Sequence, residues 1–159
     1  MATYNVAKYL KEQLDSFMGQ TRMPDELVVC DDGSSDETIG ILERFEKQVP
    51  FSVRIYRNAD NIGFTKIITK LIWLCQWDII FLSDQDDVWV SEKLATVEEA
   101  MNSSSSILFV VNLNEITDCA LNRTGVTQLG RIRSPGSLGI RDDSPIAGCC
   151  SAFCTNLKP

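Results

Sequence analysis

An acidic cluster directly follows one of the most apolar segments of the sequence. Asp84, Asp86 and Asp87 follow residues 78–82, which read Asp-Ile-Ile-Phe-Leu, after one serine. Carboxylate oxygens are the ligands that Mg²⁺ and Mn²⁺ prefer, and such ions usually hold substrate phosphates as well. The cluster therefore predicts a divalent-cation site. In a purely structural interpretation, Asp84 caps a turn and Asp87 caps the following helix.

A second acidic group, Asp31–Asp36, follows the apolar run Leu27–Cys30. Its order, Asp-Asp-Gly-Ser-Ser-Asp, is typical of a turn between a strand and a helix, because Asp-Gly favours turns and Ser and Asp cap helices. In the functional interpretation, the amino end of the helix receives an anion and Asp32 accepts hydrogen bonds from a base or a ribose. The spacing is not Gly-x-Gly-x-x-Gly, so a nicotinamide site is poorly supported.

The sequence contains no histidine, which excludes a Ser-His-Asp triad, a Cys-His dyad and every histidine-ligated metal site. Catalysis must therefore rest on carboxylates, and a metal on oxygen or thiolate ligands. Fifteen Lys and Arg against 22 Asp and Glu give a net charge of −7. This balance argues against a nucleic-acid partner, because attraction to the phosphate backbone dominates such binding.

No two of the six cysteines have the Cys-x-x-Cys spacing of a zinc or redox motif. We expect them to be small, mostly buried hydrophobic residues in a reducing cytosol. They are Cys30, Cys75, Cys119, Cys149, Cys150 and Cys154. No apolar run approaches the roughly 20 residues that a membrane span needs, so we expect a soluble protein.

Apolar residues recur at helical spacing in four segments, opposite polar faces. The predicted helices run from about Lys8 to Met18, from after Ser34 to Phe45, from Ile67 to Cys75 and from about Ser91 to Met101. Ser34 and Glu37 have the spacing of a capping box at the start of the second helix.

Short apolar runs predict the strands. Leu27–Cys30 and residues 78–82 are continuous runs, typical of strands buried on both faces. Residues 51–56 alternate and predict a strand nearer the sheet edge, and Ile107–Val111 is another apolar strand. Residues 114–144 predict loops with a short hairpin, and residues 146–153 are apolar again.

This alternation of strands and helices predicts an α/β fold, a doubly wound and mostly parallel sheet with helices on both faces. In such sheets, ligands bind beyond the carboxyl ends of the strands. Both acidic groups lie at such ends. We therefore expect Asp31, Asp32 and the acids at 84–87 to share one crevice.

Several segments, in this order and at these separations, resemble family 2 glycosyltransferases, most of all bacterial members that build surface polysaccharides, including rhamnosyltransferase-like ones. The matching segments are Ala2–Asn5, Gln20-Thr21, Pro24–Asp36, Asn61–Gly63, Phe81–Trp89 and Gly148–Phe153. The similarity is close from Ala2 to about Leu94 and weaker beyond. The resemblance implies the GT-A fold, which is Rossmann-like and binds nucleotides, and the transfer of a sugar from a nucleotide-diphosphate donor.

The resemblance also implies roles for individual residues. The nucleotide-sugar site would comprise Ala2, Thr3, Tyr4, Asp32, Asp84 and Asp86. Asp84-Gln85-Asp86 would be the DxD-type motif, with Asp86 as the preferred metal ligand and Asp84 directed towards ribose or metal. The cofactor would be Mn²⁺ or Mg²⁺, which neutralises the diphosphate.

The same comparison predicts a single, incomplete GT-A domain over residues 1–159. Residues 1–113 would form the nucleotide-sugar-binding half, and residues 114–159 part of the acceptor side. Most of the first strand would precede Met1, and the Asp or Glu general base of inverting members is expected beyond Pro159. Asp142 and Asp143 are carboxylates in the same broad region, but they precede the Gly148–Phe153 segment, and no catalytic residue is assigned.

The resemblance implies a UDP-sugar or dTDP-sugar donor and a glycan or lipid-linked acceptor in cell-surface polysaccharide synthesis. We expect a cytoplasmic location, with peripheral association at the inner face of the membrane in the full-length protein.

Two alternative functional hypotheses remain. Asp84 and Asp86 also fit the nucleophile motif of haloacid-dehalogenase-type phosphotransferases, with Asp84 attacking phosphorus and Asp86 as acid and base. That motif normally opens its fold, and it leaves Asp31 and Asp32 unexplained. The other alternative is an inactive nucleotide-binding fragment.

Overall fold

The computed structural model of the chain describes residues 1–118, 120–128 and 151–155. Within them, twelve elements follow one another. They are β1 (Ala2–Thr3), α1 (Leu10–Met18), β2 (Glu26–Asp31), α2 (Thr38–Glu46), β3 (Ser52–Arg57), α3 (Phe64–Leu74), β4 (Ile79–Phe81), α4 (Lys93–Asn102), β5 (Phe109–Val111), β6 (Asn114–Thr117), β7 (Arg123–Gln128) and β8 (Ser151–Cys154).

Three strands near the amino end form a parallel sheet in the order β1-β2-β3. A second sheet has the order β4-β8-β5, in which β8 runs antiparallel to both neighbours. Strands β6 and β7 form an antiparallel hairpin, as predicted for the region after residue 114. The α/β architecture with a parallel sheet agrees with the prediction from the sequence. The last residues of the apolar segment 146–153 belong to β8, which lies between β4 and β5.

Helices cover both faces of β2, because successive side chains of a strand point to opposite faces. Leu27 and Val29 pack into the cluster that holds the apolar faces of α1 and α2. Val28 and Cys30 pack on the opposite face against Ile67 and Leu71 of α3, with those four forming a separate cluster. The continuous apolar run therefore marks a strand buried on both sides, as predicted.

Two local predictions were wrong. Strand β4 is not fully buried, because only Ile80 is buried while its neighbours Ile79 and Phe81 are half-buried. The capping box is also absent: α2 begins at Thr38, and its N-cap residue Glu37 makes no side-chain cap hydrogen bond. Ser34 lies too early in the chain to cap α2, and its hydroxyl bonds to the Asp31 carboxylate instead.

Strand β1 pairs with the last two of the six residues of β2. The Met1 amino group donates to the carbonyl oxygen of Val28 at 2.8 Å, and burial lowers its pKa to about 6. Beside it, a mainly apolar cavity of about 370 Å³ is lined by residues of β2, α3 and β4. Four carboxylates also line it, and three of them pair with arginines: Asp25 and Glu98 with Arg22, and Glu26 with Arg54.

Cys30 is buried, while Cys75 and Cys154 are half-buried, and none of these three forms a disulfide bond with another described cysteine. The other cysteines, Cys119, Cys149 and Cys150, lie outside the described residues. Among the helices of residues 1–118, 120–128 and 151–155, none has the length and apolar character to cross a membrane.

Candidate functional site

A cleft of about 290 Å³ lies at the carboxyl ends of β1, β2 and β4. It gathers every residue predicted to bind a nucleotide-sugar. Its walls are Ala2, Thr3, Tyr4, Asp32, Asn61, Phe64, Ile67, Ser83, Asp84, Gln85 and Asp86. Residues of both acidic groups thus meet at one site, as predicted, although β2 and β4 belong to different sheets.

Asp31 does not line this cleft, contrary to the expectation that it joins the other acids there. Its side chain has no solvent exposure. The carboxylate accepts hydrogen bonds from Thr3 Oγ1 (3.0 Å), from the N–H of Gly33 (3.2 Å) and from Ser34 through its N–H (2.9 Å) and its hydroxyl (2.5 Å). Asp31 therefore fastens the turn after β2 to β1, which is a structural role.

Asp32 faces the cleft with both carboxylate oxygens already engaged. Oδ1 accepts from Asn58 Nδ2 and from the N–H of Ile62, each at 2.9 Å, and Oδ2 accepts from the N–H of Gly63 at 3.1 Å. Burial alone would raise the pKa of Asp32, but these bonds and the nearby charge of Lys70 outweigh it and lower the pKa below its usual value. Asp32 is therefore held as a charged hydrogen-bond acceptor.

Asn58 and Lys70 support Asp32 and were not predicted as site residues. Lys70 Nζ donates to Asn58 Oδ1 at 2.9 Å, while the amide nitrogen of Asn58 donates to Asp32. Lys70 also lies 3.6 Å from the Cys30 sulfur and 5.8 Å from the centre of the Tyr56 ring. The available signal was Lys70, one of two lysines on the mainly apolar α3, and an asparagine directly after β3, at the same edge as Asp32.

The acidic loop, residues 83–88, forms the opposite wall. Asp84 is half-buried and Asp86 is exposed. The loop begins at the buried Ser83, whose hydroxyl accepts a hydrogen bond from Gln13 Nε2 at 3.0 Å. Further along, Oε1 of Gln85 accepts the N–H of Tyr4 at 2.9 Å. The loop is thus connected to α1 and to the end of β1.

Asp84 and Asp86 suit an ion that the substrate helps to hold. Within the parts of the chain that the structure describes, no group of three His, Cys, Asp or Glu side chains could bind a metal. Mg²⁺ is usually bound by one or two carboxylates together with waters and substrate phosphates, rather than by a complete protein cage. Two carboxylates on an open cleft match that donor set.

Asp87 does not line the cleft, contrary to the expectation that it shares the crevice with the other acids, and it does not cap the next helix, contrary to the structural interpretation. Helix α4 begins at Lys93 with Glu92 as its N-cap residue. Asp87 Oδ2 is buried without a hydrogen-bond partner among the described residues, and so is Trp89 Nε1. The Trp89 ring packs edge-on against Phe17 with ring centres 4.8 Å apart, and Lys93 Nζ lies 3.8 Å above it. The ring of Trp89, the residue directly after the acidic loop, therefore anchors the end of the loop.

The late segment Gly148–Phe153 is described only from Ser151 onward. These residues belong to β8, and the carbonyl oxygen of Ser151 accepts the N–H of Leu82 at 3.0 Å. The segment therefore supports the strand that leads into the acidic loop. Asp142 and Asp143, like any general base beyond Pro159, lie outside the described residues.

Residues 1–157 match the family model described as glycosyl transferase family 2. Among curated proteins, a dTDP-rhamnosyl transferase of Shigella flexneri is 34% identical over 59% of this chain and 34% of its own length. An abequosyltransferase of Salmonella typhimurium is 25% identical over 91% of this chain and 41% of its own. A putative teichuronic acid biosynthesis glycosyltransferase of Bacillus subtilis is 26% identical over 95% and 58%. The chain thus spans less than two thirds of each relative.

Solved structures share the fold. TarS 1–349 of S. aureus in complex with UDP has a TM-score of 0.69 at 20% identity, covering 97% of this chain and 45% of that one. The mannosyltransferase PcManGT of Pyrobaculum calidifontis, in complex with GDP-Man and Mn²⁺, has a TM-score of 0.63 at 21% identity, covering 74% and 34%.

Proposed function

Because the chain belongs to glycosyl transferase family 2, we propose that it binds a nucleoside-diphosphate sugar in the cleft and takes part in transferring the sugar to an acceptor. One observation carries this proposal. Residues at the carboxyl ends of three strands, including Asp32, Asp84 and Asp86, line a single cleft. On one wall, Asp32 is a fixed hydrogen-bond acceptor for a nucleoside. On the opposite wall, the space beside Asp84 and Asp86 would hold a diphosphate and its cation.

The nucleoside would lie against Ala2–Tyr4 and Asp32. A charged carboxylate accepts hydrogen bonds and cannot donate them, so Asp32 favours the N–H of a base or the hydroxyl of a ribose. Three hydrogen bonds already fix the orientation of Asp32. Such preorganisation reduces the ordering that binding would otherwise require.

The diphosphate would lie beside the acidic loop, with Mn²⁺ or Mg²⁺ held by Asp86 and Asp84 in a DxD-type motif. When bound, the cation would neutralise the diphosphate and stabilise charge on the leaving group. The protein's own contribution is to hold the loop against the nucleoside wall, through the Tyr4–Gln85 hydrogen bond. An acidic loop without a cation would repel the phosphates, so binding of the diphosphate should depend on the metal.

The donor would be a UDP-sugar or a dTDP-sugar, and the acceptor a glycan or lipid-linked molecule in cell-surface polysaccharide synthesis. The rhamnosyl, abequosyl and teichuronic acid relatives support this class of reaction. We further propose that residues 1–113 form the nucleotide-sugar-binding half and residues 114–159 part of the acceptor side. The cytoplasm would be the site of action, with the full-length protein at the inner face of the membrane.

The phosphotransferase alternative loses its basis, because one glycosyltransferase family accounts for residues 1–157, including both acidic groups. Its motif would also open the fold, whereas the acidic loop follows β4. Nucleotide binding without turnover remains the outcome that would identify this chain as a binding fragment.

Calorimetry with UDP and dTDP, each with and without Mn²⁺, tests the proposal. We expect Mn²⁺ to strengthen binding, and the Asp86→Ala variant to lose most of that gain. Asp15→Ala is a matched control, because Asp15 is exposed on α1 and forms a surface ion pair with the exposed Lys11. Equal Mn²⁺ dependence in the wild type and in Asp86→Ala would refute the metal assignment, and no binding of either nucleotide would refute the donor site.

A further inference from the structure

Gln20 connects the residues after α1 to the segment that follows the acidic loop. Its side chain is buried, with 4% exposure. Nε2 donates to the carbonyl oxygens of Ser16 at 3.0 Å and Val90 at 2.8 Å, and Oε1 accepts the N–H of Leu94 at 3.1 Å. Both protons and the oxygen of the amide are therefore used.

The bond to Leu94 gives α4 a cap that its own N-cap residue does not provide. Glu92, at the N-cap position, makes no side-chain cap hydrogen bond. The first N–H groups of a helix have no partner within the helix, and Leu94 is the second residue of α4. An amide that lies 74 residues away in sequence satisfies this N–H. Gln20 thus fixes where α4 begins.

Other contacts hold the same segment from the same side. The N–H of Thr21 donates to the carbonyl oxygen of Ser91 at 2.8 Å, and Gln13 binds Ser83 at the beginning of the acidic loop. The loop is therefore attached at both ends to α1 and the residues directly after it. Asp84 and Asp86 lie between the two attachments, on the wall of the cleft.

We propose that Gln20 is a positioning residue for the acidic loop. It fixes the backbone at Val90 and Leu94, and so keeps Asp84 and Asp86 on the cleft wall at the proposed metal end. Gln20 is not part of that wall, so its effect passes through the loop backbone rather than through contact with a donor. The expected effect of Gln20 on the metal end of the cleft rests on the proposed function. The attachment of the loop segment to Gln20 does not depend on that function.

Amide hydrogen exchange of the ligand-free protein, followed by NMR, tests the attachment. Gln20→Met removes both donors and the acceptor at similar length. We expect exchange to accelerate roughly three- to tenfold at Leu94 and across residues 84–90, while amides of β2 keep their rates. Gln48→Met is the matched control, because Gln48 is exposed. A uniform acceleration over the whole chain, or none at Leu94, would overturn the proposal.

Calorimetry with UDP tests the consequence. In Gln20→Met we expect UDP affinity in the presence of Mn²⁺ to fall roughly three- to tenfold, with metal-free affinity unchanged. A purely structural role would lower the melting temperature and leave the Mn²⁺-dependent gain at its wild-type size, which would refute positioning. If wild type itself shows no Mn²⁺-dependent UDP binding, the proposed function fails, and the exchange experiment still decides on the attachment.

Gln20→Glu provides a second variant should Gln20→Met not fold. It keeps an acceptor for Leu94 but cannot donate to Val90, so we expect faster exchange near Val90 and wild-type exchange at Leu94. Wild-type rates at both positions would contradict the proposal.

Discussion

The backbone N–H of Tyr4 donates to Oε1 of Gln85 over 2.9 Å and so joins residues 81 positions apart. Tyr4 directly follows β1, and Gln85 lies between the two aspartates of the acidic loop. The bond holds the proposed nucleoside wall against the proposed metal wall. The uncharged middle residue of the Asp-x-Asp sequence therefore helps to define the width of the cleft.

Replacing Gln85 tests this bond. Gln85→Met removes the acceptor for the Tyr4 N–H, and we expect UDP affinity in the presence of Mn²⁺ to fall by about 0.5–1.5 kcal/mol, the usual net value of one hydrogen bond. Gln85→Glu retains an acceptor oxygen and should bind like wild type or more tightly. Calorimetry on the two variants compares them directly, and equal losses in both would argue against the hydrogen bond as the cause.

Asp32 should remain charged well below neutral pH. Its pKa in the folded protein lies below the ordinary value of 3.8, so its stabilising effect is complete above that value and is lost as the pH falls through the lower, folded value. We expect the stability difference between wild type and Asp32→Asn to be constant from pH 7 to about pH 5, and to shrink below about pH 4. Urea unfolding across this range measures it. A difference that already shrinks near pH 6 would contradict the lowered pKa.

Lys70 should influence the site through Asp32. Its charge helps to lower the pKa of Asp32, and its ammonium group orients Asn58. Lys70→Met should therefore raise the pKa of Asp32, which NMR titration of the carboxyl carbon would detect. Lys66→Met on the exposed side of α3 is the matched control and should leave this pKa unchanged.

Replacement of Asp31 should lower the free energy of unfolding much more than replacement of Asp86. Asp31→Ala leaves the Thr3 hydroxyl, two backbone N–H groups and the Ser34 hydroxyl without their acceptor in a buried site, and should cost about 2–4 kcal/mol of unfolding free energy. Asp86→Ala, at an exposed position, should change the unfolding free energy by less than about 0.5 kcal/mol. Urea denaturation of both variants measures this contrast. Equal destabilisation would remove the distinction between a structural and a site aspartate.

The sequence by itself determined that two acidic groups follow the carboxyl ends of strands and come close together. Apolar runs at Leu27–Cys30 and 78–82 require buried strands, and helices between them require parallel connections. Asp32 and Asp84 each follow the carboxyl end of such a strand, and they line one cleft although β2 and β4 belong to different sheets. Elements with a strong apolar pattern, such as α1 and α3, were predictable for the same reason. Their ends were less so, because terminal residues depend on contacts with distant segments.

Only the tertiary structure decided which acids face the cleft. Side chains alternate along a strand, so Asp31 and Asp32 must diverge, but the sequence does not say which face of β2 receives α3. Because Val28 and Cys30 face α3, Asp32 reaches Asn58 and the loop before α3, whereas Asp31 turns inward to Thr3 and Ser34. Long-range bonds such as Gln20 to Leu94 have no periodicity that could reveal them. They form because packing buries polar groups that must then find partners wherever the folded chain offers them.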